Sequence, residues 1–167
     1  IIIGAGPAGL FAADKLSRET DHTITVLEMG KESTKRRCST QSHNMCTQCD
    51  PCDIYAGIGG AGALSDGKLN ITPRIGGDPD SIHHSYQEIA EYIEFVDETF
   101  LKYGADKHIF GVNKDDLNSL RRKASASGIE FISGMQRHMG SDKTPLIIDQ
   151  FYKELKSRGV TFVTKTK

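Results

Sequence analysis

Ile1-Ile2-Ile3-Gly4-Ala5-Gly6-Pro7-Ala8-Gly9 opens the chain and carries the pattern that decides its fold. The isoleucines read as a buried parallel strand, and the next six residues fit G-x-G-x-x-G. Leu10 to Arg18 has the spacing of an amphipathic helix, and Thr23 to Leu27 reads as a second strand ending on Glu28. An acid about 20 residues beyond the last glycine completes the βαβ arrangement expected of a dinucleotide site. Gly4 allows a sharp turn off the strand, Gly6 lets the backbone approach a pyrophosphate, and Gly9 lets the helix lie close on the sheet. Pro7 suits the first helical position, where a missing N–H costs nothing. The N–H groups around Ala8, at the positive end of the helix, are expected to face the pyrophosphate. A carboxylate at Glu28 can accept from the ribose hydroxyls and repels a 2′-phosphate, which argues against NADP.

Working outward, 167 residues suit about one domain. A hydrophobic share of 37% and a charged share of 26% fit a globular chain. The formal charge of −1 makes no case for nucleic acid or an anionic membrane as partner. No apolar run approaches the roughly 20 residues that span a bilayer, and no signal-peptide pattern opens the chain, so the expected location is the cytoplasm. The chain starts on Ile1 rather than Met, and Val160 to Lys167 reads as a strand without an evident partner. A piece of a longer polypeptide is the expectation.

After Glu28 comes a polar, basic segment containing Arg36 and Arg37. A solvated loop is one account of it; the other has either guanidinium fork folding back on the cofactor phosphates or adenosine. The four cysteines, Cys38, Cys46, Cys49 and Cys52, follow as C-x7-C-x2-C-x2-C. Two-residue spacers let thiolates converge on one centre, as in zinc sites and iron–sulfur clusters. Three accounts stay open: a metal or cluster site that His43 could join, a thiol–disulfide pair beside a flavin, or buried thiols without metal.

Gly57 to Gly67 then holds five glycines in eleven residues. So many imply repeated positive φ or a close approach, and interspersed Ile, Ala and Leu argue against a flexible linker. A rigid loop against a flat ring system is the expectation.

Ile3-Gly4-Ala5-Gly6-Pro7-Ala8-Gly9-Leu10 with Glu28 resembles the two-dinucleotide-binding-domain flavoproteins. The cysteine segment, then Gly59-Gly60-Ala61-Gly62-Ala63-Leu64-Ser65-Asp66-Gly67-Lys68-Leu69, and later Arg137-His138-Met139-Gly140-Ser141-Asp142, is similar to a narrower group, the FAD-dependent (NAD(FAD)-utilising) dehydrogenases. The resemblance covers most of the chain and implies FAD, with the Gly59–Gly62 loop near the isoalloxazine. It supplies no substrate.

Downstream, Thr72-Pro73-Arg74 and Gly76-Gly77-Asp78-Pro79 are turn chemistry. Asp80 or Ser81 is expected to cap a helix over Ile82–Tyr103, with His83 and His84 on its surface. Asn113 should cap a polar helix over Lys114–Ala126, and Ile129–Ile132 reads as a strand leading to a loop that holds Arg137 and His138. Ser141 or Asp142 then caps a helix whose inner face is Leu146, Ile147, Phe151 and Leu155, and Val160–Thr164 returns to the sheet.

The expected architecture is therefore α/β. Residues 1–69 and 141–167 form an incomplete Rossmann-like FAD/NAD(P)-binding parallel sheet, and residues 70–140 an inserted α+β region on the substrate side. The expected function is a flavin-dependent oxidoreductase acting on a small-molecule substrate, with NAD(P)H as the candidate electron donor. An NAD enzyme without flavin and a non-catalytic FAD-binding protein are the alternatives. Ser65, Asp66 and Lys68 are candidates for the flavin ring or ribityl chain, Lys68 for charge at N1–C2=O, and His138 for an acid.

Overall fold

A computed structural model describes residues 1–40, 44–77, 81 and 84–167. In chain order its elements are β1 (Ile2–Ile3), α1 (Pro7–Glu19), β2 (Thr25–Glu28), β3 (Lys68–Asn70), α2 (Tyr86–Lys102), β4 (Ile109–Phe110), α3 (Lys114–Ala126), β5 (Gln136–His138), α4 (Thr144–Ser157) and β6 (Thr161–Thr164). They form two compact units, one of residues 1–67 with 140–167 and one of residues 68–139. Among the described residues no helix is long and apolar enough to cross a membrane.

The first unit is an α/β layer. Its sheet runs β1-β2-β6 with every pairing parallel, so the terminal strand does have a partner, β2. One face of the sheet is covered. Val26 pairs with Ile2 on that face, and Leu10, Ala13, Ile147, Phe151 and Leu155 fill the space between it and the helices. Phe11 meets Phe151 edge-on at 5.3 Å. Asp14, fully buried on α1, receives Arg158 Nη2 at 2.6 Å and ties the end of α4 to the first helix.

Three sequence expectations change here. Ile1 and Ile3 are 90% and 87% exposed rather than buried, because side chains alternate along a strand and only Ile2 turns toward α1. On α4, Ile148 is buried and Leu146 is 60% exposed. The inward stripe is Ile147, Ile148, Phe151, Tyr152 and Leu155, and Leu146 stands about 100° away from Ile147 around the helix. Neither Ser141 nor Asp142 caps α4; Lys143 stands at its N-cap without a side-chain bond. The Gly140 carbonyl accepts from Thr144 N and Thr144 Oγ1 at the same turn.

The second unit is an antiparallel sheet, β3-β5-β4, with α2 and α3. α2 begins at Tyr86, where Ser85 and Glu88 form a reciprocal cap: Ser85 Oγ accepts from Glu88 N at 3.2 Å, and Glu88 Oε2 accepts from Ser85 N at 2.8 Å. Gln41, Ser42, His43, Asp78, Pro79, Asp80, Ile82 and His83 lie outside the described residues. α3 spans the expected residues, with Asn113 Oδ1 accepting from Asp115 N and Asp116 N, and none of its residues is buried.

No strand forms over Ile129–Ile132, whose end residues are 63% and 60% exposed. The strand is Gln136–His138, held by a polar anchor that hydrophobic spacing does not reveal. Arg137, 2% exposed, forks onto Asp97 of α2, with Nε to Oδ1 at 2.6 Å and Nη2 to Oδ2 at 2.7 Å. Its Nη1 donates to the Asp106 carbonyl.

Candidate dinucleotide site

β1 delivers the chain to Gly4, whose φ of 91° makes the turn that only glycine adopts freely. Gly4 N donates to Leu27 O, so the turn stays fastened to β2. A Cβ on Gly9 would overlap the Gly4 carbonyl, which explains glycine where the helix meets the strand. Gly6 is the N-cap of α1 with no side-chain cap bond, Pro7 starts the helix, and no acid occupies its first turn. Pro7 and Ala8 are exposed. The positive end of α1 is thus uncapped by any side chain and open to solvent, as an anion-binding turn requires.

Glu28 is only 5% exposed. Its Oε2 accepts from Ala5 N at 2.8 Å, and its Oε1 accepts from Gly30 N at 2.7 Å and Gly57 N at 2.8 Å. A carboxylate offers about four lone-pair positions, so three backbone bonds leave room for one further donor. Glu28 therefore joins three segments: the glycine turn, the end of β2 and the start of the Gly57–Gly67 loop.

Arg36 is equally deep, at 2% exposure. Its Nε donates to Asp53 O at 2.8 Å, Nη1 to Ile58 O at 3.1 Å and Gly60 O at 2.7 Å, and Nη2 to Ile54 O at 2.7 Å. Four of its five N–H groups thus hold main-chain carbonyls of residues 53–60 rather than projecting toward a phosphate. Burial pulls its pKa down from the ordinary arginine value, and the charges of Glu28 and Asp53 oppose that pull. Arg37 is exposed; its Nη1 donates to Arg36 O and its backbone N to Asp53 Oδ2. Burial would raise the Asp53 carboxyl, but the bonds from Lys31 Nζ and Arg37 N outweigh it and hold its pKa below the usual range.

The glycine loop is ordered by these two buried charges. Gly57, Gly59, Gly60 and Gly67 all take positive φ, as their density anticipates. The close approach is to the opening turn: Gly59 N donates to Ala5 O at 2.7 Å, and a Cβ on Gly60 would stand 3.1 Å from Gly6 Cα. Ala61 to Leu64 makes a single 3-10 turn in which Ala61 and Gly62 are exposed. Ser65 Oγ donates to Gly62 O and accepts from Gly67 N, closing the loop on itself.

At the carboxyl ends of β2 and β6 lies a cavity of about 570 Å³, bounded by Gly30, Lys31, Asp53, Lys165 and Lys167 with Cys49. That is where open parallel sheets take their ligands. Lys31 pairs with Asp53 and Lys167 with Asp50, both at 2.6 Å. Sequence reading missed these lysines and Asp53, because nothing local links Lys31 to Asp53, 22 positions on, or Lys167 to Asp50, 117 positions back.

The four cysteines do not gather. Cys46 and Cys49 are exposed, Cys38 and Cys52 half-buried, and all four are free thiols. Among the described residues no three His, Cys, Asp or Glu side chains are arranged to hold a metal ion. The expectation of buried thiols is corrected, since Cys46 and Cys49 are exposed, and the loop carrying the four is anchored by Arg36 and Asp53. Lys68 and His138 fall in the second unit, directly opposite one another on β3 and β5, and both are exposed.

The family model described as the NAD(P)-binding Rossmann-like domain matches residues 2–48. The opening unit has a Rossmann-like fold. The match covers β1, α1, β2 and the segment through Arg36, the same residues that build the turn and its buried acid. No curated protein matches the chain. The L-amino acid deaminase from Proteus vulgaris is a similar solved structure, with 12% identity and a TM-score of 0.36 over 98% of this chain and 39% of that one. The chain spans about two fifths of that protein's length.

Proposed function

We propose that this Rossmann-like unit binds FAD and belongs to a flavin-dependent oxidoreductase of the dehydrogenase type. The observation that carries this reading is the pairing of Gly6 with Gly60 beside the uncapped start of α1. Two backbones meet there without a Cβ on either side, and a pyrophosphate fits next to exposed N–H groups. Ala8 and Gly9 would supply backbone donors, the cavity at the ends of β2 and β6 would take the adenosine end, and Glu28 Oε2 has room for one ribose hydroxyl. FAD would supply hydride or electron transfer; the protein's part is to bind and orient it. Glu28 and Arg36 hold the loop Gly57–Gly60 in place before any ligand arrives, which lowers the ordering cost of binding. The resemblance of the Ser65-Asp66-Gly67-Lys68-Leu69 segment to the FAD-dependent dehydrogenases favours FAD as the dinucleotide. The description of the matching family favours NAD(P) as the second reading, and NAD(P)H is the electron donor we propose for the flavin.

The test is the bound chromophore. Purified protein should be yellow with a flavin spectrum. Gly6→Ala should fold, because Gly6 has a φ of −70° and its added Cβ would meet only Gly60 Cα at 4.0 Å. It should nevertheless lose the flavin, since that methyl occupies the pyrophosphate's approach. Gly62→Ala, with open space around its Cβ, is the control that keeps it. A Gly6→Ala protein that stays yellow rules the assignment out, and co-purified NAD(P) without flavin selects the second reading. Turnover of NADH or NADPH with a dye separates an enzyme from a protein that only stores the cofactor.

A further inference from the structure

In the second unit Asn70, Gln136 and Phe110 stand in register at one end of the antiparallel sheet. Beyond them β3, β4 and β5 all pass into loops on the same edge. The residues leaving that edge enclose a cavity of about 250 Å³, lined by Thr72, Arg74, Gly111, Ser133, Gly134 and Met135. Close packing builds its walls. Ile71 N donates to Met135 O at 2.8 Å, which fastens the segment after β3 to the approach to β5. A Cβ on Gly134 would overlap Ile75 Cδ1, and one on Gly111, whose φ is 78°, would overlap the Gly134 carbonyl. The turn that carries Arg74 is therefore held on both flanks, by Ile71 and by Ile75.

Of the six lining residues one is cationic and none is acidic. Arg74 N donates to Thr72 Oγ1 at 3.3 Å, so the backbone at Arg74 is committed to the turn. Its guanidinium makes no hydrogen bond or ion pair among the described residues. That group stays charged at any physiological pH and presents its N–H donors as a planar fork. Thr72 is 8% exposed, and its hydroxyl accepts from Arg74 N while its own proton finds no acceptor among the described residues. The hydroxyl of half-buried Ser133 also makes no bond among them. Two neutral donors and one fixed cation thus line a cavity whose remaining long side chain is the apolar Met135.

We infer that this cavity binds a short-chain carboxylic acid as its anion, with the carboxylate on the Arg74 fork and the Thr72 and Ser133 hydroxyls and the carbon chain against Met135. A single guanidinium balances a single carboxylate, whereas a phosphate dianion would keep half its charge uncompensated. The fork also meets both carboxylate oxygens at once, and the hydroxyls serve the lone pairs that remain. A volume of about 250 Å³ lies below the roughly 300–1,000 Å³ of sites for drug-sized ligands, which limits the acid to a few carbons. This goes beyond the cofactor assignment and holds whichever dinucleotide the first unit takes.

The probe is propionate, titrated into the whole protein at constant ionic strength while ¹³C-labelled methionine methyl groups are followed by NMR. Met135 lines the cavity and Met45 belongs to the first unit, so propionate should shift the former and leave the latter still. Propionamide, which keeps the shape without the charge, should bind about tenfold more weakly, and inorganic phosphate should also bind less tightly than propionate. Arg74→Gln should weaken propionate about tenfold, with Arg74→Lys, which keeps the charge and loses the fork, falling between it and the wild type. Both change an exposed side chain and should fold, as far-UV circular dichroism will report. Propionamide or phosphate binding as tightly as propionate, equal shifts at Met45 and Met135, or wild-type affinity in Arg74→Gln overturns the proposal. The cofactor assignment is read separately, from the flavin spectrum of the same samples.

Discussion

Replacing Glu28 by Gln changes one atom and should be among the most damaging substitutions in the first unit. The carboxylate accepts three backbone N–H groups at 2.7 to 2.8 Å from a site 5% exposed. In the better amide orientation the remaining oxygen keeps Gly30 N and Gly57 N, now as neutral bonds, and the new NH2 group faces Ala5 N. Each downgrade from a charged to a neutral bond costs about 1 kcal/mol, and a buried donor facing a donor costs about 1–3 kcal/mol. Arg36, buried close by, also loses a negative neighbour. The sum is about 3–5 kcal/mol, a large part of the roughly 5–15 kcal/mol that stabilises a typical domain. At about 2–4 °C per kcal/mol the melting temperature should fall by roughly 6–20 °C. Urea unfolding followed by far-UV circular dichroism measures this directly, with the midpoint lowered and the slope unchanged. A midpoint equal to that of the wild type would show that the three bonds do not hold the loops, and the account of the preordered crevice would fail with it.

Other consequences are as direct. Arg137→Gln leaves Asp97 without its partner in the second unit and should cost about 3–5 kcal/mol, whereas Arg137→Met with Asp97→Leu should cost clearly less, both read by urea midpoints. Asp53 has a folded pKa below its unfolded value, so its contribution is present above about pH 4 and fades as pH falls through the folded value. The stability gap between wild type and Asp53→Asn should therefore be open at neutral pH and close in acid; a gap constant with pH contradicts this. The Cys38 thiol is drawn below its ordinary pKa by the Thr40 hydroxyl, 2.9 Å from its sulfur. Alkylation of Cys38 by iodoacetamide near pH 7.5 should slow in Thr40→Val, and an unchanged rate refutes the hydrogen bond's effect.

Wherever a local rule is strong, the amino-acid order alone determined the outcome. The βαβ opening, the turn at Gly4, the closeness at Gly9, the Asn113 cap and the positive φ of the Gly57–Gly67 loop all follow from neighbours within a few residues or one helical turn. Capping differed where a better box competed, as Ser85 and Glu88 did, and at α4, where Lys143 stands at the N-cap without a side-chain bond. Tertiary structure decided what depends on distant partners. Ile129 and Ile132 look like a strand in isolation, yet the sheet takes Gln136–His138 because Asp97 and Asp106 neutralise and bind Arg137. Leu146 and Ile148 are equivalent as isolated apolar residues, and only the position of α1 and the sheet chooses between them. Arg36 reads as a phosphate ligand until four carbonyls, brought within 3.1 Å by the fold, claim its fork. Spacing suggests metal at the cysteines, but convergence is a property of the loop's path in space. Short-range sterics and hydrogen bonding are written along the chain, whereas the pairing of buried charges across long separations exists only once the chain has closed.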